Sequence, residues 1–266
     1  MAFGWEGAFR RDRGGVQRWY TRLFGAVDLP TRIRARAIME ILRGAVCDSA
    51  LDVGAGTGAY AFYLTRIAAS LVMAFDIDAR RVENIRDIAQ RLNRHTLSTL
   101  CGGQPIVATL PSSCFGVVLA IEVLQYLPGV SEYLGGLHRA LRRGGILIAH
   151  VPIRLKLQPY ELYLFDDTRL RELFAEAGFE QVEIRQTFGR AERMLCAVFS
   201  WCVAHPLLLA ALYPLLLAAI ALRPRFTDSG NCRVVIARKA VDRGQPGPGI
   251  ARATAARPLS PGTGSC

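Results

Sequence analysis

Three glycines at alternating positions, Gly54, Gly56 and Gly58, stand directly behind a short apolar run, Ala50-Leu51-Asp52-Val53. Glycine lets a backbone approach a ligand closely and adopt φ angles that a Cβ makes costly, and a helix after such a turn aims unpaired N–H groups at the same spot. Asp52 sits just before the first glycine, where its carboxylate can accept from the turn or attract a cationic amino group. A second acid, Asp76, closes the next apolar run at 71–75, in the position from which a carboxylate accepts both hydroxyls of a ribose. Asp78, two residues on, reads as the cap of the helix behind it.

The turn by itself fits more than one ligand. Gly54-x-Gly56-x-x-Ala59 matches the dinucleotide fingerprint, whose last position accepts alanine. Asp52 adds negative charge where a diphosphate would sit, whereas the ammonium and sulfonium of S-adenosyl-L-methionine are compatible with it. A structural turn that binds nothing has the same sequence pattern.

Positioning these residues requires strands that end at one edge. Apolar spacing predicts two amphipathic helices over 17–46, interrupted at Asp28-Leu29-Pro30-Thr31 with a capped restart at Thr31. A strand at 50–53 runs into the glycine turn, and a helix follows through Ala69. The alternation continues with strand 71–75, helix 79–92, a weaker strand 96–101, strand 117–121, helix 131–141 and strand 145–151, entered through Gly144-Gly145. Helix 168–177 stops at Gly178, strand 181–187 follows, and a last strand is expected at 232–239. Strands alternating with helices imply a mostly parallel sheet covered on both faces.

Four stretches in this order resemble the motifs of class I, Rossmann-like S-adenosylmethionine-dependent methyltransferases of the type-11 kind. Leu51-Asp52-Val53-Gly54-Ala55-Gly56-Thr57-Gly58 is similar to the first motif, and Ala74-Phe75-Asp76-Ile77-Asp78 to the ribose-binding strand end. Phe115-Gly116-Val117-Val118-Leu119-Ala120-Ile121-Glu122-Val123-Leu124-Gln125-Tyr126-Leu127 is similar to the fourth-strand motif, and 137–148 to the helix and strand after it. The resemblance spans about 49–187. It implies an α/β fold: a three-layer αβα sandwich on a seven-stranded, mostly parallel sheet of order 3-2-1-4-5-7-6 with strand 7 antiparallel. It also implies S-adenosylmethionine across the carboxyl ends of strands 1, 2 and 4, held by Asp52, Gly54, Ala55, Gly56, Thr57, Gly58, Asp76, Ile77, Gln104, Ile121 and Glu122. Gln104 stands where the family has an acid reading the adenine amino group, and its carbonyl can accept the same bond. Phe115-Gly116 stands where the family has Phe-Asp, so a side chain that braces the neighbouring loop is missing. These departures motivate an alternative, a non-catalytic methyltransferase-like membrane scaffold.

Methyl transfer is an in-line displacement from an activated sulfonium, so the protein mainly aligns the acceptor and, for a weakly acidic hydroxyl, supplies a base. The resemblance places Tyr126 and Glu122 at the active-site mouth, with His150 and Asp166 after strand 5. Tyr126 and His150 are the candidate catalytic residues, and Glu122 reads as a wall of the cofactor pocket. Relatives that methylate quinone-type phenols carry Glu and His in the stretch matching 122–126; Tyr126 takes the histidine's place here.

The rest of the chain says where the reaction takes place. Of 266 residues 51% are hydrophobic, concentrated between Leu195 and Leu222. That segment is long enough for one membrane crossing, but strands on either side of it that share a sheet need both of its ends on one side. Arginines flank both ends, and Pro206 and Pro214 cut it into pieces too short to cross. The expectation is a monotopic or re-entrant helical hairpin on the cytoplasmic face of the membrane, aided by the amino-terminal arginines; a lid over the active site or a dimer contact is the alternative. A lipid, isoprenoid or lipid-linked acceptor follows.

The net charge of +11 comes almost wholly from arginine, with Lys156 and Lys239 the only lysines. No aromatic-basic signature accompanies it, which argues against nucleic acid. Seven cysteines without a C-x-x-C pair argue for free thiols and against a metal site. No apolar signal segment follows the first arginines, so the catalytic part is expected in the cytoplasm. The expected divisions are amphipathic helices at 1–46, the methyltransferase domain at 47–240 with the apolar insertion at 191–226, and a disordered tail at 241–266.

Overall fold

The computed structural model describes residues 29–43, 47–153, 165–203 and 205–241. The first expected amphipathic helix and the tail beyond Val241 lie outside the described residues. In chain order the elements are α1 (Leu29–Ile41), β1 (Cys47–Val53), α2 (Ala59–Leu64), β2 (Ala68–Asp76), α3 (Ala79–Arg91), β3 (Leu97–Cys101), a 3-10 turn (Gln104–Thr109), β4 (Phe115–Ile121), a second 3-10 turn (Leu124–Tyr126), α4 (Val130–Ala140), β5 (Leu141–Pro152), α5 (Asp167–Glu176), β6 (Gln181–Thr187), α6 (Arg190–Val203), α7 (Pro206–Ala221) and β7 (Cys232–Arg238).

The seven strands form one sheet of order β3-β2-β1-β4-β5-β7-β6, in which β7 alone runs antiparallel to its neighbours. Its central strand, β4, reads Phe-Gly-Val-Val-Leu-Ala-Ile and is buried at every position, as a strand covered on both faces must be. Alternate residues separate the two layers. Ala50, Val72, Val117, Leu119, Ile146 and Ile148 pack towards α2 and α3, whereas Leu51, Val118, Ala120, Leu147 and Val235 pack towards α4 and α5.

Three local features depart from the sequence reading. The helix after the glycine turn ends at Leu64 rather than running to Ala69, because Ala68 pairs with Cys47 and the sheet claims the segment. β5 begins at Leu141, before the Gly-Gly turn: Leu141 pairs with Phe115, and the register shifts before Ile146 meets Val117. α1 starts at Leu29 with Pro30 in its first turn, where a missing N–H costs nothing.

The apolar insertion is a helical hairpin, α6 and α7, that leaves the sheet at Thr187 and returns at Cys232. Those two residues are a register pair, so both ends of the insertion lie at the same edge. Pro206 opens α7, but Pro214 does not break it: the helix continues to Ala221, anchored on either side of the proline by buried Tyr213 and Leu216. Among the described residues no helix is long and apolar enough to cross a membrane.

α1 is strapped to the hairpin by a separate small core of Leu29, Ile33, Phe199, Tyr213, Leu216 and Ile220. Arg36 donates to the last carbonyls of α7, at Ile220 and at Ala221 (3.1 Å), and to Arg223 (2.9 Å). An arginine at a helix carboxyl end satisfies carbonyls that have no helical partner. Arg32 lies over the Tyr213 ring at 5.6 Å, and Arg225 pairs with Glu40 at 3.0 Å. Arg32 and Arg36, among the arginines expected to face lipid, make contacts within the protein instead.

Candidate active site

β1, β2 and β4 end side by side, because Asp52 is in register with Ala74 on one side and Leu119 on the other. The chain leaves β1 through Gly54, Gly56 and Gly58, with φ of 65°, 57° and 78°. Only glycine takes this left-handed region without strain. A Cβ on Gly54 would also stand 2.5 Å from the Val123 side chain. The turn is tied to the end of β2 by two hydrogen bonds: Ala55 N donates to Phe75 O (2.9 Å), and Gly56 N donates to Asp76 Oδ2 (2.7 Å). Asp76 Oδ1 accepts from Asp78 N at 3.0 Å, and Asp78 in turn caps α3 by accepting from Arg80 N. Asp76 is thus buried and fixed, with each oxygen keeping a lone pair for a ligand hydroxyl.

Asp52 is buried, and its Oδ2 has no hydrogen-bond partner among the described residues. Burial pushes its carboxyl up to about 7, against a backbone hydrogen bond from Ala61 and with a further push from the Asp76 charge. It lines a cavity of about 440 Å³ together with Gly54, Ala55, Gly56, Thr57, Arg34, Ile121, Glu122 and Tyr126. A second cavity of about 240 Å³ continues past Asp76 to Ile77, Gly103 and Gln104, and it shares Gly54, Arg81, Glu122 and Tyr126 with the first. Of the residues expected to hold the cofactor, all but Gly58 line one of the two.

The far end of this cradle suits a base with an amino group. Gln104 Nε2 donates to Gly129 O at 3.2 Å, which leaves the amide oxygen to accept. Ile77 is 77% exposed beside it, an apolar shelf. Gly116, where the family's bracing acid is missing, makes room for Arg142: a Cβ there would lie 2.9 Å from the guanidinium, which pairs with Asp48 at 2.6 Å. This ion pair links β1 and β5.

At the near end, Glu122 follows β4 with φ of 58°, in the left-handed region, its N–H donating to His150 O. Its Oε1 lies 2.6 Å from His150 Nδ1 and 3.4 Å from Arg34, and its Oε2 accepts from Gln125 at 3.2 Å. Burial raises the Glu122 carboxyl, but the hydrogen bonds from His150 and Gln125, with the Arg34 charge, hold it below its ordinary range overall. Burial pulls the His150 imidazole down against the pull of Glu122. A neutral ring beside an ionised carboxylate carries its proton on Nδ1, so Nε2 accepts from Thr187 Oγ1 at 3.2 Å.

Tyr126 lines both cavities from the second 3-10 turn. His150, expected to be catalytic, is fully buried behind Glu122 and lines neither cavity, so it does not face a ligand bound there. Asp166 caps α5, accepting from Arg169 N at 2.7 Å. Sequence reasoning passed over Arg34 and Arg81. Arg81 carries a readable signal: it stands one helical turn after Asp78, and its guanidinium reaches to 3.9 Å from Asp76. Arg34 carries none, since its partner is remote in sequence.

Residues 51–149 match the family model of a methyltransferase domain. The chain is 30% identical over 133 residues to a demethylmenaquinone methyltransferase of Tropheryma whipplei, an alignment covering 48% of this chain and 53% of that one. It spans about half the length of the curated relatives it matches. Among solved structures, phosphoethanolamine N-methyltransferase 2 of Haemonchus contortus, in complex with S-adenosyl-L-methionine, superposes with a TM-score of 0.59 at 13% identity, over 88% of this chain and 62% of that one. An S-adenosylmethionine-dependent methyltransferase of Aquifex aeolicus gives 0.52 at 15%, over 78% and 97%. The [4+2]-cyclase SpnF gives 0.54 at 22%, over 82% of each chain. A cyclase among the likenesses shows that the fold by itself does not name the reaction.

Proposed function

We propose that this chain, whose residues 51–149 match the family model of a methyltransferase domain, is a class I, Rossmann-like methyltransferase that transfers a methyl group from S-adenosylmethionine to a small hydrophobic acceptor. The observation that carries the reading is the buried, unpartnered Asp52 Oδ2 in the same cradle as the glycine turn and Asp76. A buried carboxylate oxygen without a partner is costly. An ammonium group relieves that cost, whereas a diphosphate increases it, so the donor fits and a dinucleotide does not.

When bound, S-adenosylmethionine supplies a sulfonium methyl that an aligned nucleophile takes in one displacement, the bond pair staying on sulfur. The chain's share is placement. Asp52 pairs with the amino group, Asp76 accepts from the ribose hydroxyls, Gln104 accepts from the adenine amino group and Ile77 packs on the base. Glu122, ionised and held by His150, accepts the acceptor's proton at a carboxylate oxygen.

The acceptor is a lipid-like molecule taken from a membrane surface, and the hairpin is the element that meets it. In support, α6 exposes Met194, Val198 and Trp201 on one helical stripe, and α7 with its C-cap residue exposes Leu207, Leu215 and Leu222 on another. Exposed apolar side chains grouped in this way mark interaction surfaces. The curated relative's name, a demethylmenaquinone methyltransferase, is in keeping with such an acceptor. The chain then works as a peripheral or monotopic protein on the cytoplasmic membrane face.

Calorimetry tests the donor. Saturable heat with S-adenosylmethionine and S-adenosylhomocysteine, and no fluorescence change with NADH, is the expected result. No heat with either nucleoside supports a scaffold that has lost the donor.

A further inference from the structure

Three cavities meet at one side chain. Glu122 lines both halves of the donor cradle and also a third cavity of about 290 Å³, lined besides by Pro30, Arg34, Phe188, Arg193, Cys196, Asn231 and Cys232. Arg34 is shared by the first and the third. The third cavity lies between α1, the start of α6 and the start of β7, which puts the apolar hairpin on its outer side. Its volume is at the small end of the roughly 300 to 1,000 Å³ of small-molecule sites.

Backbone strain singles out the same place. Among the described non-glycine residues, Asn93, Ser113, Glu122 and Phe188 have positive φ. Asn and Ser are small polar residues suited to turns, but Glu and Phe pay a penalty there. Both of these line the third cavity. Strain of this kind persists where the surroundings over-determine it, commonly at a ligand site.

We propose that this cavity is the acceptor pocket, and that it takes a small planar apolar ring bearing a weakly acidic hydroxyl, with the oxygen held between Glu122 and Arg34. The assignment rests on the donor reading above and adds the acceptor's chemistry to it. The walls select the ring. The Phe188 ring, edge-on to His150 at 6.1 Å, stands with Pro30 and two thiols around the cavity, and burial pushes the Cys232 thiol up to about 12, so it stays uncharged. Arg193 donates to Asn231 Oδ1 at 3.1 Å and to Phe188 O at 3.0 Å, so these polar groups serve each other and form a wall.

The inner end selects the hydroxyl. Glu122 offers an ionised acceptor and Arg34 only donors, 3.4 Å apart. A hydroxyl can donate to one and accept from the other. An ammonium group is repelled by Arg34, and a carboxylate or phosphate by Glu122. In the step this implies, the O–H proton passes to Glu122, the oxygen pair forms the new O–C bond, and the S–C bond pair stays on the donor's sulfur. The products are a methyl ether and a thioether, and Glu122 returns its proton to water.

Binding of a naphthol to the full chain, saturated with S-adenosylhomocysteine, tests the pocket. Saturable binding is expected, weakened at least about tenfold for naphthalene and for Cys196→Trp, which fills the cavity, but kept by Cys196→Ala. S-adenosylhomocysteine affinity should stay within about twofold in both variants. Naphthol that does not bind the wild-type chain, or binds Cys196→Trp as tightly, overturns the pocket while leaving the donor site standing. Failure of the wild-type chain to bind S-adenosylhomocysteine overturns the donor reading, and the pocket with it. If Cys196→Trp does not fold, a phenol carrying a photoreactive diazirine decides on the wild-type chain. Crosslinks at 188–196 and 231–232 support the assignment, and crosslinks confined elsewhere overturn it.

Discussion

His150 Nδ1 donates to Glu122 Oε1 across 2.6 Å, joining the last turns of two neighbouring strands, β4 and β5. Ile121 and His150 are register partners in the sheet, so the side chain that follows β4 falls beside the imidazole without any loop having to close. Thr187, at the end of β6, completes the chain of hydrogen bonds from the sheet's far edge. Three strand ends therefore fix one carboxylate at the junction of three cavities.

Removing the charge should stop the chemistry and spare the donor. Glu122→Gln is expected to lower turnover by about 10² to 10⁴-fold, with S-adenosylhomocysteine affinity altered by only about threefold. His150 should act through Glu122. In His150→Leu the carboxyl loses the hydrogen-bond donor that holds it down, so its pKa rises and the acid limb of the pH–rate profile moves to higher pH. A limb that stays in place assigns His150 to packing alone.

Asp52 links donor binding to stability. Its carboxyl is raised in the folded chain from 3.8 to about 7, so the folded state holds the proton more tightly than the unfolded one. The stability linked to that proton is full below pH 3.8 and is lost as pH rises towards 7. Asp52→Asn should therefore melt higher than wild type at pH 8, by up to about 4 kcal/mol of stability, with the gap closing as pH falls below 7. The same variant should bind S-adenosylmethionine poorly. Equal melting temperatures at pH 8 would refute the burial account.

Asp76 is expected to matter to the donor through charged hydrogen bonds worth about 1.5 to 3 kcal/mol. Asp76→Ala should weaken S-adenosylhomocysteine binding by about one to two decades in calorimetry. Part of the loss will be indirect, since Gly56 N loses its acceptor and the glycine turn loosens.

The membrane reading is open to flotation with anionic liposomes. Wild-type protein should rise with the vesicles, and Trp201→Glu or Leu207→Glu should reduce binding by about tenfold, since each places a charge on an exposed apolar stripe. Wild-type protein that stays at the bottom defeats the idea, and the hairpin is then a lid or a contact between copies.

Much of the donor cradle was legible because it is local. The glycine spacing, the acid one residue before it and the acid at the next strand end all follow from one strand-turn-helix unit and the strand after it. Helix limits were less legible. Ala68 looks helical among its neighbours, yet it pairs with Cys47, because a sheet partner outweighs a propensity of a few tenths of a kcal/mol. Pro214 looks like a helix end, yet buried Tyr213 and Leu216 carry the helix past it. Gly116 reads as a lost brace, and only the fold reveals the pair of Arg142 and Asp48 beside it.

The sequence by itself determined the fold class through its alternating strand and helix patterns, while the strand order and the class of donor were what its resemblance to class I methyltransferases implied, since both the patterns and the motifs are properties of short stretches of chain. Tertiary structure alone decided the use of Arg34, Arg36 and His150. Their partners Glu122, the end of α7 and Thr187 are brought to them by packing across the sheet and the hairpin. Side-chain function set by such long-range contacts leaves no periodic trace, because the residues on either side of it in sequence answer to a different part of the core.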